Sequence, residues 1–218
     1  MKYLMFQIYA PLQAWGLPLP GNIRLTDDHP SKSGIIGYIA NTLGITDAMG
    51  EEFALLSQSF GFACREDRPG SILKDFHIVQ ANPPYNNIIS ERTYLVDAAF
   101  TICLWAKNDE IDYELTAQAI DEPCHVPFLG RKNCVTAIAP NPKVIEADNI
   151  KEAFEQYNVS EFTPKSNKNH TVIYWEGNNS GMAPIKQYRR HDQPVGIRRR
   201  VTRTEFMSHL TGGEHVSQ

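Results

Sequence analysis

The sequence predicts an α+β fold, and three observations carry the prediction. Strand-like and helix-like segments alternate through the first two thirds in the order strand, helix, strand, strand, helix, strand. One intervening stretch is too rich in proline and asparagine to be a core element. The last third carries short strand-like runs and a cluster of arginines.

Tyr3 to Tyr9, YLMFQIY, is aromatic and β-branched and predicts the first strand. Ala10 to Pro30 is expected to be a long loop, in which Trp15 is either a stacking group or an indole folded back over the core. Pro30 to Gly44, PSKSGIIGYIANTLG, predicts the first helix. Ser31 or Ser33 can cap its first turn, Ile35, Ile36, Ile39, Ala40 and Leu43 recur on one face, and Gly44 can stop it. The first amides of a helix have no internal acceptor and face a positive dipole end, so this start, with Lys32 beside it, can hold an anion. An ordinary capped core helix has the same signature.

A second helix is expected at Glu51 to Gln58 and strands at Phe60 to Arg65, Lys74 to Gln80 and Tyr94 to Ala106. Ala81 to Arg92, ANPPYNNIISER, lies between the last two and is expected to project as a hairpin or finger. Its Ile88 and Ile89 pair then suits insertion into a partner surface or a stack of bases; a plain surface loop is the alternative. Glu110 to Ile120 reads as a helix ended by Pro123, and Cys134 to Ala139 as the strand that completes a split β-α-β, ferredoxin-like plan. Before that strand, Val126 to Cys134 places Gly130 ahead of Arg131 and Lys132, a turn able to grip phosphate or simply a basic β-turn. Ile150 to Tyr157 is a short helix, and Thr171 to Trp175 and Ile185 to Tyr188 are strands. The expected organisation is a domain over residues 1–142, with a protrusion at about 78–94, and a smaller β-rich portion over 143–218 packed on it.

The chain has 218 residues, 42% of them hydrophobic, enough for a substantial core. A formal net charge of −4 argues against indiscriminate coating of nucleic acid. Yet Lys186, Arg189, Arg190, Arg198, Arg199, Arg200 and Arg203 face only Asp192 and Glu205 across Lys186 to Phe206. Successive arginines alternate across a strand, so at least one points to the body and needs an anionic partner, a role a phosphate fills. Cys64, Cys103, Cys124 and Cys134 are scattered without a C-x-x-C pair, which suits a reducing cytoplasm and gives no zinc site. No apolar run approaches the roughly 20 residues of a membrane span, so a soluble protein with no metal and no cofactor is expected.

No phosphate-binding loop, dinucleotide fingerprint, zinc-protease or nucleophile-elbow motif occurs. Metal-independent RNA cleavage needs none of these, only a general base, a general acid and cationic stabilisation; His77, His170, His191, Tyr38 and Tyr85 are the available groups. No spacing forces two of them together.

In order along the chain stand PLQAWG, PSKSGIIGYIANTLG, KDFH, RTYLVDAAFTICLW, FLGRKNC and a terminal GGEHVSQ. This ordered set resembles the Cas-five family of CRISPR proteins in its type I-E Cascade form, nearly end to end. The resemblance implies a ferredoxin-like RNA-binding domain of the RRM and RAMP type with a protruding β-hairpin thumb. It implies a non-catalytic subunit holding the 5′ handle of the crRNA, beside the repeating backbone subunit and the large PAM-reading subunit, with target DNA met indirectly through base pairing. It places Ser31, Lys32, Ser33, Arg92, Gly130, Arg131 and Lys132 against RNA, Ile88 and Ile89 near a kinked nucleotide, and Tyr85 on the thumb. Arg199 and Arg200 of the arginine-rich stretch join that RNA-binding set. Some type I-C relatives cut precursor crRNA themselves, so a metal-independent endoribonuclease is the alternative.

Overall fold

The computed structural model describes residues 1–17, 22–46, 49–80, 87–108, 111–161, 170–196 and 199–211. In chain order the elements are β1 (Lys2–Tyr9), β2 (Leu12–Gln13), β3 (Ile23–Arg24), α1 (Lys32–Thr42), α2 (Gly50–Ser59), β4 (Phe60–Arg68), β5 (Ser71–Val79), β6 (Ile88–Val96), β7 (Ala99–Ala106), α3 (Tyr113–Asp121), β8 (Lys143–Glu146), α4 (Ile150–Gln156), β9 (His170–Trp175), β10 (Lys186–Gly196) and β11 (Arg199–Thr211).

A seven-stranded sheet runs in the order β10-β11-β9-β4-β7-β1-β8. At its centre β1 pairs with β7 and β8, and β7 pairs with β4, all antiparallel. The alternation of a strand explains why β1 is apolar along almost its whole length. Leu4, Phe6 and Ile8 face a core with Ile35, Ile36, Ile39 and Phe53 of α1 and α2. Tyr3 and Met5 face the opposite core, with Ile150 and Phe154 of α4 and Trp175. Both faces of the central strand are thus covered. The strands after residue 142 do not form a sheet of their own; β8 lies on β1 and β9 on β4.

Two expected strands differ. The run Tyr94 to Ala106 is broken at Asp97, whose φ of 57° turns the chain, so β6 belongs to a second sheet and β7 to the first. The break is held by Asp97 N–H donating to Pro11 O at 3.2 Å and by the Tyr9 hydroxyl donating to Asp97 Oδ1 at 3.1 Å. Cys134 to Ala139 is not a strand; it contributes an isolated bridge, Phe128 to Val135, and the strand beside β1 is β8 instead. Cys134 N–H turns back to Arg131 O at 2.8 Å, and Pro140 and Pro142 supply no N–H to a ladder.

The loop from Ala10 to Pro30 is also more ordered than expected. It contains β2, β3 and a bridge between Gly16 and Thr26. Trp15 is only 1% exposed, its Nε1 donating to Gln13 Oε1 at 3.1 Å, which settles it as a core indole rather than a stacking platform.

The second sheet has the order β2-β6-β3, with β5 also on β6. β5 and β6 form an antiparallel hairpin from Ser71 opposite Val96 to Val79 opposite Ile88. Phe76, Ile78 and Ile89 are exposed along it. Tyr85 lies outside the described residues. Among the described residues, no helix is long and apolar enough to cross a membrane.

Candidate nucleic-acid interface

Helix α1 begins at Ser31, whose Oγ accepts from Gly34 N–H at 3.2 Å and whose carbonyl accepts from Ile35 N–H at 3.1 Å. The Lys32 amide donates to Asp192 Oδ2 at 2.9 Å. The anion expected at this helix start is therefore the protein's own carboxylate, delivered by β10. The Lys32 side chain is corrected as well. It is fully buried, and its Nζ donates to Glu176 Oε1 at 2.6 Å, so it faces the interior and no RNA. Burial pulls its pKa down to about 8 against the opposing pull of Glu176. Ser31 is likewise buried, with its hydroxyl committed to the cap. Ser33 is half-buried on a groove wall.

The arginine-rich stretch divides in two. Arg190 and Arg203 turn inward. Arg203 binds Asp192 through two nitrogens at 2.7 and 2.9 Å and Glu205 at 2.6 Å. Arg190 reaches Asp27 at 2.9 Å and Glu205 at 3.1 Å and also touches His29. His29 lies 2.9 Å from Glu205 and 2.5 Å from Asp28, and its ring stacks on Tyr174 at 3.7 Å. Burial opposes the charge on His29, but its two carboxylate partners outweigh that and raise its pKa. Burial by itself would raise Glu205; the His29 hydrogen bond and the two guanidinium groups hold it at about 2. The inward arginines thus meet carboxylates, not phosphate. Arg199 is exposed, and the half-buried Arg200 lines the same groove as Ser33.

That groove, about 780 Å³, is walled by Ser33, Gly37 and Tyr38 of α1, by Arg24, by Gly130 and Arg131, and by His191 and Arg200. An adjoining hollow of about 350 Å³ shares Arg24 and Arg131 and adds Asn22, Ile88, Ser90 and Arg92. Three arginines from separate segments therefore meet. The parallel pairing of β3 with β6 sets Arg24 beside Arg92. Arg131 is fixed by donating to Thr93 O at 3.1 Å and Arg24 O at 2.9 Å, and its guanidinium lies 4.6 Å from the centre of the Tyr94 ring. The Nε of Arg92 is buried with no hydrogen-bond partner among the described residues. Lys132 is exposed beside this wall. Alternation along β6 turns Ile88 to the hollow, while Ile89 is 63% exposed.

Gly130 has a different purpose from the one expected. Its φ is +87°, and a Cβ there would fall 1.8 Å from Ala14 O. The close approach it permits is to the chain's own backbone, where Ala14 N–H donates to Leu129 O at 3.0 Å. Sequence reasoning missed Arg24, which sits alone in a two-residue strand without a motif around it. Of the groups considered for RNA cleavage, Tyr38 and His191 reach the groove, and His77 lies on the hairpin 2.7 Å from Asp75. Tyr85 and the side chain of His170 are outside the described residues.

Fold and groove define an α+β protein with an arginine-lined cleft between two sheets and a helix. The chain belongs to the CRISPR-associated protein (Cas_Cas5) family, whose model matches residues 3–209. It is similar to the CRISPR system Cascade subunit CasD of Escherichia coli (strain K12), with 32% identity in an alignment of 149 residues that covers 61% of this chain and 66% of that protein. The match thus spans just under two thirds of that relative. A chain of a solved CRISPR RNA-guided surveillance complex superposes with a TM-score of 0.70 at 22% identity, over 95% of this chain and 89% of that one. A crystal structure of a Cas protein gives 0.67 at 24% identity, over 95% and 93%. At these identities the structures establish the shared fold.

Proposed function

We propose that the chain is a non-catalytic crRNA-binding subunit of a type I-E Cascade complex, holding the 5′ handle of the guide in the arginine-walled groove. The observation that carries this is the convergence of Arg24, Arg92 and Arg131 on one concave wall. Arginine forks match phosphate geometry, and an acidic chain that gathers them at one place binds a backbone locally rather than everywhere. On this reading β4-β7-β1-β8 with their helices are a ferredoxin-like core of the RAMP type, and the β5–β6 hairpin is its thumb. The repeating backbone subunit and the large PAM-reading subunit are the protein neighbours, and target DNA is met only through the guide. The name of the E. coli relative supports assembly into Cascade.

Arg24→Ala, Arg92→Ala and Arg131→Ala are each expected to weaken binding to repeat-derived RNA. Each should lower the slope of log affinity against log salt by about 0.7 per lost phosphate contact. Unchanged slopes in all three variants overturn the placement. Incubation of the protein with repeat RNA in EDTA should leave the RNA intact; specific cleavage lost in a His191 variant would establish the endoribonuclease instead.

A further inference from the structure

Gly37 lies in the interior of α1, where glycine favours the helix less than any residue but proline. The two interior glycines of this helix differ. A Cβ at Gly34 would meet Ser31 Oγ and the Trp15 ring at 3.0 Å, so tight packing accounts for that glycine. Among the described residues, a Cβ at Gly37 meets nothing within 4 Å. The described residues therefore give Gly37 no reason to lack a side chain. The space it leaves open belongs to the groove whose walls include Arg24, Arg131 and Arg200.

We infer that Gly37 is a steric specificity determinant: its bare Cα lets the sugar-phosphate backbone of single-stranded RNA lie flush on α1, within reach of Arg24 and Arg131. The Lys32 and Gly34 amides are already engaged by Asp192 and Ser31, so at Gly37 α1 offers this strand a low shelf rather than the free amides of a helix start. The charges come from the opposite walls. A side chain at residue 37 lifts the strand from the shelf and separates its phosphates from the arginines, where attraction falls with distance.

This inference rests on the RNA-binding reading, and one experiment separates their failures. The full chain, Gly37→Ala, Gly37→Leu and Arg24→Ala are compared by thermal melting and by anisotropy of a labelled single-stranded repeat RNA across a salt series. Gly37→Ala should melt about 2 °C or more above the parent, since it replaces a poor helix former without a clash. It should nevertheless bind RNA more weakly. Gly37→Leu should fold normally and weaken binding about tenfold or more, the scale of forcing a close-packed contact apart. If Gly37→Leu binds within about twofold of the parent while Arg24→Ala is impaired, the shelf is wrong and the RNA reading stands. A parent chain that binds no RNA removes both. A Gly37→Leu chain that fails to fold shows that residue 37 is packed internally and overturns the inference, as does a Gly37→Ala chain that melts lower.

Discussion

Lys32 carries its charge inward. A lysine beside a serine-capped helix start resembles a phosphate ligand, because all its sequence neighbours are polar or small. What decides its fate is Glu176, which arrives 144 positions later, and the Lys107 ammonium that shares this carboxylate at 2.8 Å. Replacing Lys32 by methionine keeps most of its volume and removes the charge. Breaking a fully buried pair costs about 3–5 kcal/mol, and the remaining Lys107 contact softens this, so Lys32→Met is predicted to lose roughly 2 kcal/mol, read as a lower urea midpoint. The salt slope of RNA binding should stay at the parent value. A slope reduced by one phosphate contact would place Lys32 on the RNA and refute the buried pair. Arg24 shows the converse: an arginine with no motif around it becomes part of the groove wall because β3 pairs with β6.

At the scale of elements, α1 begins where its capping serine and apolar spacing place it, and β1, β4, α2, α3 and α4 follow from periodicity to within a few residues. The run from Tyr94 to Ala106 differs from expectation for a tertiary reason. Asp97 has a left-handed backbone that breaks one apolar run into strands of two different sheets, although its neighbours read as continuous strand. Its conformation depends on partners from the distant residues Tyr9 and Pro11. The FLGRKN turn was visible as a turn, but the neighbour that makes Gly130 necessary, the Ala14 carbonyl, was not. Gly130→Ala is expected to destabilise by about 3 kcal/mol or more, since it combines a left-handed φ with a backbone clash. The turn positions Arg131, so RNA affinity should fall with it. An unchanged melting temperature would mean that the turn and the segment at Ala14 do not meet.

Across the whole molecule, the buried ionic cluster joins the loop before α1 to β10 and β11, and through Asp192 it also caps α1. This cluster makes stability depend on pH. Glu205 has an ordinary value of 4.5 and stands at about 2 in the fold, so its contribution is complete above 4.5 and is lost as pH falls toward 2. The shift corresponds to roughly 3 kcal/mol at most. Asp28, lowered from 3.8 to about 2 chiefly by the His29 hydrogen bond, acts in the same direction. His29 is raised from 6.5, so its contribution is full below 6.5 and fades as pH rises past its folded value. Urea midpoints from pH 2 to 8 should therefore pass through a maximum in the mildly acidic range, and Glu205→Gln should flatten the acid limb. An acid limb of equal slope in that variant would show that Glu205 is not the titrating group.

By itself the sequence determined the α+β class, the order of most elements, the helix that starts at Ser31 and, through six motifs in fixed order, the family. Each of these depends on spacing along the chain, which local chemistry sets. Tertiary structure alone decided which charges face outward. It buried Lys32, Arg190 and Arg203 against carboxylates, left Arg24, Arg92 and Arg131 around a groove, and supplied Asp192 where an external anion was expected. A charge's destination depends on which opposite charge the fold brings within about 3 Å: for Lys32 that partner lies 144 positions away, and for Arg190 the nearby Glu205 is joined by Asp27 from before α1.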